Sequence, residues 1–259
     1  MKNIFAVAGV VIKELYRRKD FYVLFIVTIL ICVVMASVNV FNDEKIVRYL
    51  KEICLLLIWV SSLVIAITTT ARQIPAEREN RTLLPLLAKP LTRTQLIFGK
   101  FFGCWFACGL ALLCFYIFFS ALAASREHAW PVLNYFQAAL LHWFTLGVVV
   151  AFTLFGSLVF AAPSSNSTIC FVLVTAILCV GRYLDAVALS LKEPFRSIIF
   201  AVYFVIPHVE IPFEMRNLIV HDWPLISWTF IGLDLLYLLA YTAAFLVAAC
   251  LVFRRKAVN

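Results

Sequence analysis

Long unbroken apolar runs are what most constrain this chain. Five are clear: Phe21 to Val40, Ile53 to Ala71, Phe101 to Leu122, Phe136 to Ala162 and Ile231 to Phe253. A helix of about 20 apolar residues crosses a hydrocarbon core of roughly 30 Å at 1.5 Å per residue. A sixth run begins near Thr168 and is interrupted after Val180. Only 14% of the residues are charged, against about 25% in a soluble domain. The reading is an all-α integral membrane protein with six transmembrane helices, an N-terminal interfacial elbow helix and a re-entrant or interfacial outer segment before the last span. Spans are expected at 21–40, 53–71, 101–122, 136–162, 168–191 and 231–253, in one domain over 1–259 that leaves no room for a soluble catalytic unit.

Residues 4–19 read as the elbow helix. Ile4, Ala8, Val11 and Leu15 form one apolar stripe, and Lys13, Arg17 and Arg18 extend it toward headgroups. An uncleaved signal anchor is the alternative. The eight cysteines fall mostly inside apolar runs, where a thiol behaves as a small hydrophobe. No CxxC pair exists, and the sequence points to no metal site in this chain.

Lysine and arginine mark the sides of the membrane. Alternate segments starting with the N-terminus hold 14 basic residues, and the opposite segments hold 8. Counting acids, the first side is near +10 and the second near −1. Both termini and residues 72–100 are therefore expected in the cytoplasm. The overall charge of +8 reports topology and not nucleic-acid binding, because the basic residues are spread over loops on both sides.

The segment between the fifth and sixth spans is mixed. The apolar run from Ile169 to Val180 is only twelve residues long, so a full crossing is expected to include Arg182 and Asp185, three residues apart on one helix face. They face either a watery interior or the outer headgroups. Residues 195–228 combine a short apolar helix with a Pro-, His- and acid-containing stretch, which suits an outer re-entrant or amphipathic segment. Asp234 lies just inside the last span, and a salt bridge to Arg182 would suit it.

Residues 72–100 form the one long polar island. Pro75, Pro85 and Pro90 divide it into short pieces. Thr92 or Thr94 caps the helix that follows, with Gln95 positioned for a capping box from Thr92. Leu83, Leu84, Leu86 and Leu87 make an apolar patch expected to dock on something, either a partner, the chain's own elbow helix or lipid headgroups. Gly99, Gly103, Ala107 and Ala111 recur every four residues, a stripe that lets another helix approach closely.

This island resembles the signature of the type-2 exporter family of ATP-binding-cassette (ABC) permeases: Glu77, Arg81, Thr82, Leu83, Leu86, Leu87, Pro90, Arg93, Leu96, Gly99 and Lys100, in order. Arg81 stands where glycine is commonest, which is similar to a branch associated with copper-enzyme maturation; Pro85 is also unusual. The resemblance implies a permease subunit of the bacterial inner membrane that works as a dimer with a second permease subunit, identical or homologous. It also implies two cytoplasmic ABC ATPase subunits that bind ATP and Mg²⁺ and couple through Glu77, Arg81, Thr82, Leu83, Leu86, Leu87, Pro90 and Arg93. The chain carries no GxxxxGK[ST] phosphate loop, so any ATP hydrolysis belongs to the partner. A membrane scaffold that binds a cytoplasmic partner at the same segment is the alternative.

Overall fold

The computed structural model describes residues 2–17, 19–37, 44–79, 92–127, 131–160 and 162–255. In chain order the described helices are α1 (Lys2–Tyr16), α2 (Lys19–Ser37), α3 (Glu44–Ala71), α4 (Pro75–Glu79), α5 (Arg93–Glu127), α6 (Val132–Val159), α7 (Pro163–Val180), α8 (Leu184–Ser190), α9 (Phe195–Val205), α10 (Glu210–Glu214), α11 (Asn217–Val220) and α12 (Trp228–Arg255). A 3₁₀ turn, Gly181–Tyr183, joins α7 to α8. Five stretches among the described residues are long and apolar enough to cross a membrane: Arg48–Glu79, Arg93–Ser125, Val132–Val159, Pro163–Val180 and Trp228–Arg255. A sixth is added if α9 and the α10–α11 pair, which meet at 71°, count as one. The all-helical membrane fold read from the sequence is what the structure shows.

Helices α3, α5 and α6 form the centre; α12 lies along α6, α1 along α5, and α2 and α7 against α3. One continuous apolar core joins them, with Leu55, Ile67, Ile97, Phe119, Val150 and Leu158 almost completely enclosed. Lipid is as apolar as leucine, so close packing and hydrogen bonds have to hold such helices together. Small residues supply the close packing. A Cβ added at Gly99 would lie 2.7 Å from the Val7 Cβ, and one at Gly103 would lie 2.7 Å from the Val11 Cβ. The apolar stripe of α1 therefore seats on α5, with Ala8, Val11 and Leu15 buried, while Phe5 and Val10 stay exposed.

A second clasp joins α5 to α6. The Trp105 and Trp143 rings stack at 4.7 Å, and each indole N–H donates to the other residue's carbonyl, at 3.0 and 3.2 Å. Each ring also lies over the other helix's glycine, Trp143 on Gly109 and Trp105 on Gly147. Neither glycine site has room for a side chain without moving an indole.

Helix boundaries differ from the sequence reading, most at the fifth and second spans. The run expected at 168–191 is a helix over Pro163–Val180 that ends where the 3₁₀ turn begins. Pro163 sits in its first turn, where a missing amide hydrogen costs nothing. The polar stretch behind it stays helical because Asn166, fully buried, donates from Nδ2 to the Thr153 carbonyl at 3.1 Å. Gly156 gives that amide room. Eighteen residues give about 27 Å of helix, so residues 181–191 are not needed for the crossing. The helix carrying the span expected at 53–71 is longer than that run, because α3 starts at Glu44.

Gly103→Ala is expected to overpack the α1–α5 contact and cost about 1–3 kcal/mol. Val11→Ala in the same chain should return most of it. Melting temperatures of the two variants in detergent check this.

Candidate functional site

The polar island is described at both of its ends. At the first, α3 stops at Ala71, the chain turns through Arg72–Ile74, and Pro75 opens the short α4. Glu77 lies in the first turn of α4, where a helix favours negative charge. Its Oε1 accepts from Lys100 Nζ at 2.7 Å. The same ammonium donates to the Gln73 carbonyl at 3.0 Å and to Gln73 Oε1 at 3.2 Å. Lys100 is 2% exposed, so these three acceptors stand in for the water it has lost. A lysine on α5 thus holds the start of the island against the end of α3.

At the second end, Thr92 and Gln95 form the capping box expected from their spacing. Gln95 N–H donates to Thr92 Oγ1 and Thr92 N–H to Gln95 Oε1, both at 3.2 Å. One residue on, Arg93 Nη1 donates to the carbonyls of Phe253 at 2.8 Å and Arg254 at 3.3 Å, and the guanidinium lies 5.5 Å from the Phe253 ring centre. These carbonyls end α12, where a helix has no backbone donors left to satisfy them. The island therefore leaves from α3 and α4 and returns onto α5 at the end of α12. Arg81, Thr82, Leu83, Leu86, Leu87 and Pro90 lie between these anchors, outside the described residues.

The stripe on α5 faces a partner within the chain. Gly99 and Gly103 meet α1, and Ala107 and Ala111 line an apolar groove of about 260 Å³ with Ile12, Leu15, Tyr22 and Phe25. Arg182 falls in the 3₁₀ turn and Asp185 on α8; their side chains lie outside the description. Asp234 is 7% exposed, on the buried stripe of α12, and its Oδ2 has no hydrogen-bond partner among the described residues.

The opposite end of the bundle holds contacts that sequence spacing does not announce. Lys51, 1% exposed, donates from Nζ to the Ile219 carbonyl at 3.2 Å and to Asp222 Oδ1 at 3.1 Å. Asp222 has φ of 50°, a left-handed conformation that aspartate tolerates better than most residues. Gln137 pairs with both backbone groups of Ile226, at 3.0 and 3.3 Å, and Asn134 donates to the Trp223 carbonyl at 3.0 Å. Below them His142 is fully buried. Its Nε2 lies 2.8 Å from Ser62 Oγ, its Nδ1 is 3.4 Å from the Tyr116 hydroxyl, and its ring stacks on Trp59 at 3.7 Å. Phe213, from α10, meets the Trp59 ring edge-on at 5.1 Å. The segment after α9 thus seals one end of the bundle through polar contacts to α3 and α6. Partners 26 to 171 residues apart in sequence make these bonds, so no local pattern signals them.

Among the described residues, no three His, Cys, Asp or Glu side chains are grouped to hold a metal ion. The arrangement is that of a multi-pass helical membrane protein with the two ends of a polar segment held by three of its helices. Residues 11–258 match the family described as ABC-2 family transporter protein, and the chain belongs to that family. It is a membrane permease component of an ABC transporter, a type of subunit that is normally non-catalytic and works with ABC ATPase subunits. The match is to the family as a whole and does not reach the copper-enzyme branch. No curated protein matches the chain.

Lys100→Met leaves Glu77 without its ammonium and is expected to cost about 3 kcal/mol or more. Adding Glu77→Gln to the same chain should recover part of this. Amide hydrogen exchange over residues 72–79 reads the loosening.

Proposed function

We propose that this chain is the membrane half of an ATP-driven exporter of the bacterial inner membrane. Two permease subunits form the pathway, and two cytoplasmic ATPase subunits, which bind ATP and Mg²⁺, engage residues 77–100. The observation that carries this reading is the double suspension of the island. Lys100 ties its start to α5 beside α3, and Arg93 ties its end to α12. A force applied at Arg81, Thr82, Leu83, Leu86, Leu87 and Pro90 is then delivered to three spanning helices together. Nucleotide would bias a two-state arrangement of those helices. The bias of basic residues toward the segments holding both termini supports a cytoplasmic position for the island.

The pathway in this reading runs along the face shared by α3 and α7. Only Asn166, Cys170 and Val174 of α7 are buried within the chain. Thr68 on α3 and Ser164, Ser165 and Thr168 on α7 are exposed hydroxyls on helices of spanning length. Thr68, Ser167 and Thr168 line one groove with Ile67 and Phe171. Hydroxyls facing water or a second subunit there avoid contact with lipid tails, and a second permease subunit, identical or homologous, would cover the rest. Arg182 and Asp185 continue this helix line outward, and Asp234 lies inside the bundle on α12.

Co-purification with an ATPase, and ATP hydrolysis that responds to substrate, test the assignment; partner binding without hydrolysis or transport would indicate a scaffold instead. Leu87→Asp, by loss of an interface anchor, and Arg93→Glu, by release of the island from α12, are each expected to weaken ATPase association by about tenfold or more. Unchanged association would remove residues 77–100 from the coupling role. A cysteine at position 89 should resist membrane-impermeant thiol reagents in intact cells, and labelling there would invert the topology.

A further inference from the structure

The bend between α9 and α10 is a deep polar point in an apolar setting. At about 1.5 Å per residue, Tyr237 lies about 14 Å and Tyr241 about 20 Å from the Trp228 end of α12. The Tyr237 hydroxyl accepts the His208 backbone N–H at 3.0 Å, and the Tyr241 hydroxyl lies 3.4 Å from the Phe204 and Val205 carbonyls. The bend thus reaches a depth where irregular backbone survives only inside protein or beside a cavity. A second irregularity meets it there. Helix α7 yields to its 3₁₀ turn at Gly181, and a Cβ on Gly181 would lie 3.0 Å from both Glu210 carboxylate oxygens.

Glu210 is 6% exposed. Its Oε1 accepts from His208 Nδ1 at 2.8 Å, whereas its Oε2 has no hydrogen-bond partner among the described residues. The imidazole thus engages only one of the two carboxylate oxygens. Aromatic rings stand beside that imidazole. Tyr203 is 4.4 Å and Tyr237 6.3 Å from the His208 ring, centre to centre. A buried carboxylate oxygen left without a donor, next to an imidazole flanked by tyrosine rings, is the chemistry that holds an ammonium group. The approach is lateral: α9 buries none of its residues, and Phe204, Val205 and Leu233 are exposed on this side. A ligand arriving there comes through the bilayer, so its ammonium is carried on an apolar tail.

We propose that Glu210, with the rings of Tyr203 and Tyr237, binds the ammonium head of an amphiphile entering from the membrane. That this amphiphile is transported cargo rests on the permease reading; its binding does not. The test uses the full chain in a maltoside detergent, which carries no amine, with a fluorescent alkylammonium and an alkyl sulfate of equal chain length as probes. The alkylammonium is expected to bind at least about tenfold more tightly, and Glu210→Gln to erase that preference. Gly181→Ala, which displaces the carboxylate without removing it, and Tyr203→Leu, which keeps the apolar bulk, should each reduce alkylammonium binding several-fold and leave the sulfate unchanged. They serve as the test should Glu210→Gln fail to fold. Equal affinity for the two probes, or a preference that survives these substitutions, overturns the proposal. Competition by phosphatidylethanolamine but not phosphatidylglycerol assigns the site to a lipid head group, and absence of competition assigns it to a free amphiphilic amine. Neither readout involves ATPase association, so this inference and the coupling assignment fail separately.

Discussion

A lysine ammonium enclosed in a low-dielectric bundle has to find several acceptors, and this chain encloses one at each end. Lys100 meets Gln73 and Glu77, and Lys51 meets Ile219 and Asp222. Taking an ion out of water costs several kcal/mol, so each lysine compels the segment supplying its acceptors to stay close. At one end that segment is the start of the polar island. At the other it is the turn that closes the bundle before α12. Both irregular segments are thereby fastened to the regular helices by a charge that has nowhere else to go.

Between these ends, apolar packing alone would leave the helices free to slide, because lipid competes equally for their surfaces. Glycine contacts remove that freedom. Val7 and Val11 fit against Gly99 and Gly103, and the two tryptophans fit against Gly109 and Gly147. The indole hydrogen bonds then define the register of α5 on α6, since each ring nitrogen reaches one particular carbonyl. The centre of the bundle is rigid for this reason, while α7 and α9 expose most of their surface and depend on lipid or a second chain.

Features governed by short-range rules could be read from the residues. The long apolar runs required membrane helices, the Thr92–Gln95 spacing required a capping box, and the spacing of Gly99 and Gly103 allowed the close helix contact found there. What could not be read was decided by distant partners. Nothing near Ser164 says that this polar stretch is helical, because the stabilising bond runs from Asn166 to α6. Nothing near His142 or Glu210 names Ser62, Tyr116 or Gly181. The stripe on α5 was legible as a contact surface, but its occupant, the chain's own first helix, was not. The central part of the island rests on sequence resemblance, since it lies outside the described residues.

The seat of α1 on α5 also bears on how the protein is made. Residues 4 to 15 leave the ribosome long before Gly99 and Gly103, which form the notch they fill. At about 5–20 residues per second, the first helix waits on the order of 5–20 s for its seat. During that interval its apolar stripe has only the membrane surface or a chaperone to cover it. The notch that Gly99 and Gly103 leave on α5 therefore ends a period in which α1 has no protein surface to bury its stripe against.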